Sequence, residues 1–458
     1  MKKLCLFLCL IVLLTGCSSE HAPSSAPSTA PPPPTLEEVS GKAELAFRKI
    51  IDEGASAESL AALSDITQQM GLIQHSSQYP ALVRTLNEAL LALSRGENPE
   101  DIYTCFEQIK ASPEHTAYPL FTGLEQHLLI AACTERYKMK DHLILTFGGD
   151  CSFGTYPQAP EETKFDAVMA GLGEDLSYPL YQCRAFFNTD TLTILNNETA
   201  ITTRTEMVKK EWQIKSDPKY TPIYTLAGVD AVNLANNHTR DCFEDGYEDT
   251  LASLRQNNLK FFDDGQPLIH MADGIELVFL GYEMRMSQAS DNFRDRIVKD
   301  IKKYKKTDNF VFVSIHWGIE YREQPVAYQS NYGRAFIDAG ADAVIGAHPH
   351  IMEGIELYKG KYLIYSMGDF CFGGDPELLS RMTALFRFYI HKESRELSLH
   401  LVPFYENSDG AESGHNDFRP LPLFGAEARP VIDYLKRICN PLSHGLSDIP
   451  VPVYVKER

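Results

Sequence analysis

The sequence predicts a mixed α/β fold for the larger part of the chain. Beyond Lys140, short apolar runs of strand length alternate with stretches whose apolar residues recur every three or four positions, as in amphipathic helices. This alternation is typical of layered α/β folds. A second observation is that residue types able to bind metals follow several of the predicted strands, and α/β proteins gather ligands and reacting groups at those strand ends.

Seven apolar runs in this region are predicted strands: 143–147, 191–195, 231–234, 277–280, 309–315, 343–345 and 362–365. Three intervening stretches have helical spacing: 245–256, 292–305 and 328–339. A closing helix is predicted over 426–438, with Pro430 near its start. We therefore predict an α/β domain over residues 141–405 and a C-terminal loop and helix extension over residues 406–458.

Residues 36–140 have a different texture, and we predict that they form an accessory helical segment. Apolar side chains recur at helical spacing, as in Leu60, Leu63 and Ile66, with hardly a β-branched run among them. The segment contains no residue pattern that carries chemistry, so we assign it no functional role.

The first 35 residues predict export and a lipid anchor. Residues 1–16 have a positive start and an apolar stretch too short to span a bilayer, which indicates a signal peptide. The sequence Leu14-Thr15-Gly16-Cys17 resembles the bacterial lipobox, so Cys17 is the expected lipidation site. Residues 17–35 are rich in Ser, Ala and Pro and are predicted to be an unfolded tether. We expect an extracytoplasmic protein held on the cell membrane by the lipid on Cys17.

Composition excludes some partners and leaves the cysteines unassigned. The formal net charge of −19 argues against nucleic acid as a partner. Ten cysteines are present, and the seven beyond Cys17 show neither metal-site nor disulfide-framework spacing. We interpret most of them as small core residues, with one or two disulfides left open.

Candidate metal ligands stand directly after successive predicted strands. They are Asp150, Glu198, Asn237, His316, His348 and His350, and His238 follows Asn237. Each residue alone is common at a turn or strand end, so the signal is their joint placement. A set of oxygen and imidazole ligands suits Mn²⁺, Fe²⁺, Co²⁺ or Zn²⁺ better than Ca²⁺ or Mg²⁺.

These residues lie within a series of motifs that resembles a known family. The motifs are Gly149-Asp150, Asn197-Glu198, Ala235-Asn236-Asn237-His238 with Asp241 and Gly246, His316-Trp317-Gly318-Ile319-Glu320-Tyr321, Gly346-Ala347-His348-Pro349-His350 with Gly354 and Glu356, and Tyr365-Ser366-Met367-Gly368-Asp369-Phe370. In order and spacing they resemble the CapA family of bacterial poly-γ-glutamate capsule synthesis proteins, over residues 143–403. That family is similar in turn to calcineurin-like metallophosphoesterases. The resemblance implies a four-layer metallophosphoesterase-like β-sandwich flanked by helices.

The resemblance also implies a role for each residue. Asp150 would bind the first metal, Glu198 would be the bridging or second carboxylate, and Asn237 the amide ligand. His316, His348 and His350 would be the imidazole ligands. His238 would be the general acid that protonates a leaving oxygen, because it adjoins a ligand without being one. One or two divalent transition metals, Mn, Fe or Zn, are the implied cofactors.

Departures from the phosphoesterase pattern leave one metal position short of a ligand. Ser152 stands where phosphoesterases usually have a histidine, and Glu320 or Glu356 could fill the gap. Asp369 stands where CapA proteins usually have Asn, and it could be a ligand, an outer-sphere partner or a solvated side chain. Asp241 is a further candidate, as an additional ligand or an outer-sphere partner. A centre with a single ion also remains open.

Two functions follow from the resemblance. In the first, the protein takes part in the synthesis or export of poly-γ-glutamate or a related envelope polymer, with the anionic polymer and capsule-synthesis membrane proteins as partners. In the second, it is a surface metallophosphoesterase or hydrolase that acts on an envelope phosphoester. Catalytic turnover is left open, because a fold hosts many functions and only the site indicates chemistry.

Overall fold

The computed structural model describes residues 141–187, 190–374, 380–408 and 416–456, together with Glu135 and Met139. The chain divides into two compact units, Met1–Lys138 and Met139–Arg458. The predicted signal peptide, tether and helical segment lie outside the described residues, apart from those two positions. Among the described residues, no helix has the length and apolar character needed to cross a bilayer.

One sheet of eight strands forms half of the second unit. Its strands are β1 (His142–Ser152), β2 (Leu192–Asn197), β5 (Ala231–Asn233), β6 (Lys260–Phe262), β13 (Asp369–Phe372), β14 (Met382–His391), β15 (Leu397–Tyr405) and β16 (Leu421–Pro422). Within the described residues their order is β16-β15-β14-β1-β2-β5-β6, and β13 also pairs with β1. The strands β1, β2, β5 and β6 run parallel, whereas β14 to β16 pair antiparallel.

A sheet of six strands forms the other half. It contains β7 (Leu268–Ala272), β8 (Ile275–Arg285), β9 (Phe310–Gly318), β10 (Ala343–Ala347), β11 (Ile355–Tyr358) and β12 (Lys361–Ile364), in the order β11-β12-β10-β9-β8-β7. The central strands β8, β9, β10 and β12 are parallel. A short ribbon of β3 (Ala200–Ile201) and β4 (Lys215–Ser216) follows β2.

Eight α-helices are assigned in the described residues: α1 (Phe165–Gly171), α2 (Arg184–Phe187), α3 (Pro222–Ala227), α4 (Phe243–Gln256), α5 (Asp291–Tyr304), α6 (Ala327–Ala339), α7 (Arg429–Cys439) and α8 (Val453–Lys456). Short 3₁₀ helices cover Glu161–Thr163, Tyr181–Cys183 and Pro218–Tyr220. The helix α5 begins at a side-chain cap, where Ser290 Oγ accepts the Phe293 amide at 3.3 Å.

The core between the two sheets is aromatic. Phe147 on β1 lies 6.2 Å from Phe279 on β8 and 5.8 Å from Phe312 on β9, between ring centroids. Phe312 also contacts Phe388 on β14 at 5.6 Å. All four side chains are buried, and each large ring removes much apolar surface from water. The two sheets therefore pack face to face.

The mixed α/β fold is confirmed, and each predicted strand and helix of the α/β domain overlaps an observed one. The hairpin β14–β15 was not among the predicted elements. The predicted closing helix corresponds to α7, with Pro430 in its first turn. The five described cysteines, Cys151, Cys183, Cys242, Cys371 and Cys439, are free and buried, as expected of small core residues.

Candidate metal centre

The ends of four parallel strands bring the candidate ligands together. Asp150 lies near the end of β1 and Glu198 directly follows β2 in the first sheet, whereas His316 lies on β9 and His348 follows β10 in the second. Both sheets are parallel at these strands, so their carboxyl ends lie at one edge of the molecule. Register shifts in β1 on either side of Asp150 interrupt its ladder at this point.

The side chains form three overlapping groups that could hold a metal ion. The groups are Asp150, Glu198 and His350; Glu198, His316 and His348; and Glu320, His348 and His350, and within each the ligand atoms lie within 4.8 Å of one another. Asn237 joins the second group, since its Oδ1 lies 2.6 Å from His316 Nε2. The structure thus brings together all six residues that the resemblance implies as ligands.

Glu198 gives the clearest indication that a cation belongs here. Its side chain is fully buried, and neither carboxylate oxygen has a hydrogen-bond partner. The nearest imidazole nitrogen, His316 Nε2, is 3.2 Å from Oε1. Burial, and then the charge of Asp150, raise the pKa of Glu198 well above its usual range. A buried carboxylate without donors is costly, and a divalent ion would supply the missing interaction.

The histidines are in a state suited to metal binding. Burial lowers the pKa of His316 to about 4 and that of His348 well below its usual value, so both rings are neutral at neutral pH. Metal ligation requires neutral imidazole. His348 Nδ1 is buried and has no hydrogen-bond partner, like the oxygens of Glu198. The donor set therefore fits a transition-metal ion.

The turn that carries His348 and His350 has a strained backbone. Their φ angles are +99° and +58°, in a region that residues other than glycine rarely adopt. The His348 amide donates to Asp150 Oδ2 at 3.2 Å, which ties the turn to the other sheet. His350 Nδ1 lies 2.8 Å from Asp369 Oδ1, and its ring stacks on Phe372. Asp369 therefore orients a candidate ligand, as outer-sphere carboxylates commonly do.

His238 is held beside this group by an acidic partner. Its Nδ1 lies 2.7 Å from Asp241 Oδ2, whereas Nε2 lies 3.9 Å from Glu198 Oε1. Lys210 Nζ lies 3.1 Å from the same Nδ1, so both partners contact this nitrogen and Nε2 faces the centre. Burial lowers the pKa of His238 to about 4, against the effect of Asp241. The ring is thus neutral in the metal-free protein, and it can act as an acid only after it takes up a proton.

Sequence reasoning missed Lys210, which reaches this histidine from the segment between β3 and β4. Its Nζ lies 2.5 Å from Asp241 Oδ1 and donates to the backbone carbonyl of Asn237 at 2.8 Å. The lysine therefore fixes both the carboxylate behind His238 and the turn that carries Asn237. A lone lysine in a polar stretch gives no sequence signal of this kind.

A buried amide network was also missed. Asn196 Nδ2 donates to Asp150 Oδ1 at 2.6 Å, and Asn196 Oδ1 accepts from Asn233 Nδ2 at 2.9 Å. Asn236 Oδ1 accepts the amide of His238 at 3.1 Å and so shapes the Asn-His turn. These amides position the ligands, and the run of asparagines at the ends of β2 and β5 was the available signal.

The four remaining candidate carboxylates lie in different surroundings. Asp241 supports His238, Asp369 supports His350, and Glu320 is exposed beside the two histidines of the turn. Glu356 pairs with Arg334 on α6 through two hydrogen bonds, of 2.7 and 3.0 Å, and is in none of the three groups. A buried carboxylate with a bidentate arginine is already neutralised.

Fold and site together define an α/β protein of two facing sheets with a cluster of oxygen and imidazole ligands at the strand ends. Residues 144–374 match the family "Bacterial capsule synthesis protein PGA_cap", which is half of the chain. The chain belongs to this family. The expected membership of the CapA proteins is thereby confirmed.

Named relatives share the same region. The chain is 27% identical over 312 residues to the "PGA biosynthesis protein CapA" of Bacillus subtilis, covering 62% of this chain and 79% of that one. It is 32% identical over 168 residues to the "Capsule biosynthesis protein CapA" of Bacillus anthracis, covering 32% and 41%. A "Probable polyglutamine synthesis accessory protein" of Mycobacterium tuberculosis is 26% identical over 246 residues, covering 46% and 64%.

Proposed function

We propose that the protein takes part in the synthesis or export of poly-γ-glutamate or a related envelope polymer, through a divalent-metal centre at the strand ends. The names of the relatives support the polymer. The observation that carries the metal centre is Glu198, whose two buried oxygens lack hydrogen-bond donors beside Asp150 and His316.

The proposed architecture is a four-layer β-sandwich of the metallophosphoesterase type. Face-to-face packing of the sheets through Phe147 and Phe312 supports the two inner layers. Helices α4 and α6, which contact β6 and the strands β9, β10 and β12 respectively, support the outer ones.

The residues suggest how two ions would be held. Asp150, Glu198 and His350 would hold one, and Glu198, His316 and His348 with Asn237 the other, so Glu198 would be shared. When bound, such ions would polarise an oxygen of the substrate and lower the pKa of a bound water.

The protein's own side chains would transfer protons and position the ligands. Asp241 and Lys210 hold His238 with Nε2 towards the centre, where it can accept a proton or a hydrogen bond from a group bound there. Asn196 holds Asp150 in place through the 2.6 Å hydrogen bond. An anionic group bound at the centre would favour protonation of His238, and the ring could then donate that proton to a leaving oxygen.

A surface metallophosphoesterase or hydrolase is the second candidate. The observation that favours it is the pairing of a cluster of candidate metal ligands with a carboxylate-oriented histidine, because polymer binding alone requires no such proton-transfer group. Both functions use the same centre.

The proposed setting is the outer side of the cell membrane, with the lipid on Cys17 as the anchor. Capsule-synthesis membrane proteins are the proposed partners. A protein with a net charge of −19 would not attract a polyanion by charge alone, so a contact bridged by metal fits the acidic chain better.

The functional test compares polymer with phosphoester. Metal-loaded protein would be incubated with poly-γ-glutamate and, separately, with a panel of phosphomonoesters and phosphodiesters, beside the double variant His348→Ala, His350→Ala. We expect metal-dependent binding or processing of the polymer that the double variant lacks. Metal-dependent phosphoester cleavage without any action on the polymer would replace the polymer function with the second candidate.

A further inference from the structure

We propose that Glu320 is an additional ligand of the metal centre, where it would bind an ion together with His348 and His350. This inference rests on the proposed metal centre. It assigns one of the candidate carboxylates to the ion itself.

Ser152 is unavailable as a ligand. Its side chain is fully buried and its hydroxyl donates to the Gly154 carbonyl at 3.2 Å. The centre therefore has room for a further protein ligand, and carboxylate is a ligand that such ions accept readily.

The other candidate carboxylates are already engaged. Asp241 pairs with His238 and Lys210, Glu356 pairs with Arg334, and Asp369 lies 2.8 Å from His350 Nδ1. Glu320 differs from these three, because its carboxylate makes no hydrogen bond or ion pair with any described residue. It is also the one of the four that belongs to a ligand group, the group with His348 and His350.

A rigid turn places Glu320 at the histidines. Gly318 at the end of β9 has a φ of +98°, and a side chain there would meet Gln329 and Pro349. Tyr321 has a φ of +57°, and its amide donates to the Pro349 carbonyl at 2.8 Å, between the two histidines. The turn is thus hydrogen-bonded at Tyr321 to the segment that carries them, and it packs closely against that segment at Gly318.

On the buried side of this ligand group, His348 has a nitrogen available for an ion. His348 is 6% exposed, and its Nδ1 has no hydrogen-bond partner. Glu320 is exposed, so it would approach the ion from the solvent side while the buried ligands approach from the protein. A metal bound between them would give a partner both to the buried Nδ1 of His348 and to the exposed carboxylate of Glu320.

The test measures metal affinity directly. Wild type, Glu320→Gln and the control Glu323→Gln, which changes a nearby glutamate paired with Arg437 on the surface, would be titrated with Mn²⁺ and Zn²⁺ against a chromophoric chelator. We expect Glu320→Gln to weaken one ion by roughly tenfold or more, as loss of a supporting ligand does, and to alter the visible absorption of bound Co²⁺. The control should match wild type in both measurements.

Two outcomes overturn the inference in distinguishable ways. If wild type and Glu320→Gln bind every ion with equal affinity and share one Co²⁺ spectrum, the centre stands and Glu320 is not a ligand. If wild type takes up no ion, the proposed centre fails together with the inference. Thermal melting in chelator should give equal midpoints for wild type and Glu320→Gln, because Glu320 is exposed and the change removes no contact.

Discussion

At Glu198, two buried carboxylate oxygens lie beside Asp150 and His316 without a hydrogen-bond donor. A charge left in this state costs several kcal/mol, so the group must hold either a proton or a cation. Burial raises the pKa of Glu198, which favours the protonated carboxyl in the metal-free protein. Binding of a divalent ion would displace that proton, which links metal affinity to pH.

His238 should be needed for turnover and not for metal. We expect His238→Ala to retain its ions, since Nδ1 is committed to Asp241 and the ring is in none of the ligand groups. Any hydrolytic activity should fall by about 10²–10⁴-fold, the usual contribution of a general acid or base. Metal analysis and kinetics on the same preparation check this. A His238→Ala protein stripped of metal would show that the histidine is a ligand.

Glu353 should make the protein less stable as pH rises. Burial raises its pKa to about 8, and Oε1 has no partner whereas Oε2 accepts from Gln329. The folded pKa exceeds the unfolded value, so the folded state binds more protons between about pH 4.5 and pH 8. Stability conferred by the protonated form is complete below that window and is lost as pH rises through it.

The matched variant is Glu353→Gln, whose amide oxygen can still accept from Gln329. We expect similar melting temperatures for variant and wild type at pH 5. At pH 8.5 the variant should melt at a higher temperature, and its free energy of unfolding should exceed that of wild type by about a few kcal/mol. Equal melting temperatures at both pH values would mean that Glu353 has an ordinary pKa.

Among the elements, β1 and β13 position the first carboxylate through an unusually close approach. The amide of Asp150 donates to the Gly368 carbonyl at 3.0 Å, and Asp150 pairs in register with Asp369. A Cβ on Gly149 would lie 1.8 Å from that same carbonyl oxygen. Glycine is therefore required at this position for the two strands to meet.

Gly149→Ala should damage both stability and metal binding. The added methyl group must push β13 away, and overpacking of this kind costs about 1–3 kcal/mol or more. The measurement is the melting temperature together with metal content. Gly171→Ala is the control, because a Cβ there meets nothing within 4 Å, and it should melt at or above the wild-type temperature. A Gly149→Ala protein with the melting temperature and metal content of wild type would show that the two strands can move apart without loss of stability or metal binding.

The sequence could predict the parallel strands because each is a short apolar run between turn and helix signals. It could predict the ligand set because strand ends of parallel sheets converge. The hairpin β14–β15 was missed, although residues 382–391 form a largely apolar run buried on both faces. Lys210 and Asn196 could not be assigned roles, since their hydrogen bonds span 27 to 46 residues and depend on the folded topology.

For the whole molecule, the proposed attachment to the membrane depends on one residue. Cys17 follows a lipobox-like sequence, and no helix among the described residues could serve as a second anchor. Cys17→Ala should move the protein from the membrane fraction to the soluble fraction, as shown by fractionation of cells that express each form. A variant that stays fully in the membrane fraction after a high-salt wash would place the anchor elsewhere.

The claim on which the rest depends is that the strand ends hold metal, and elemental analysis of protein purified without chelator tests it most directly. The account predicts one or two transition-metal ions per chain, and a large loss of metal in the double variant His348→Ala, His350→Ala, because each histidine belongs to two of the three ligand groups. Wild-type protein that contains no metal, and takes up none when offered Mn²⁺, Fe²⁺ or Zn²⁺, would contradict it.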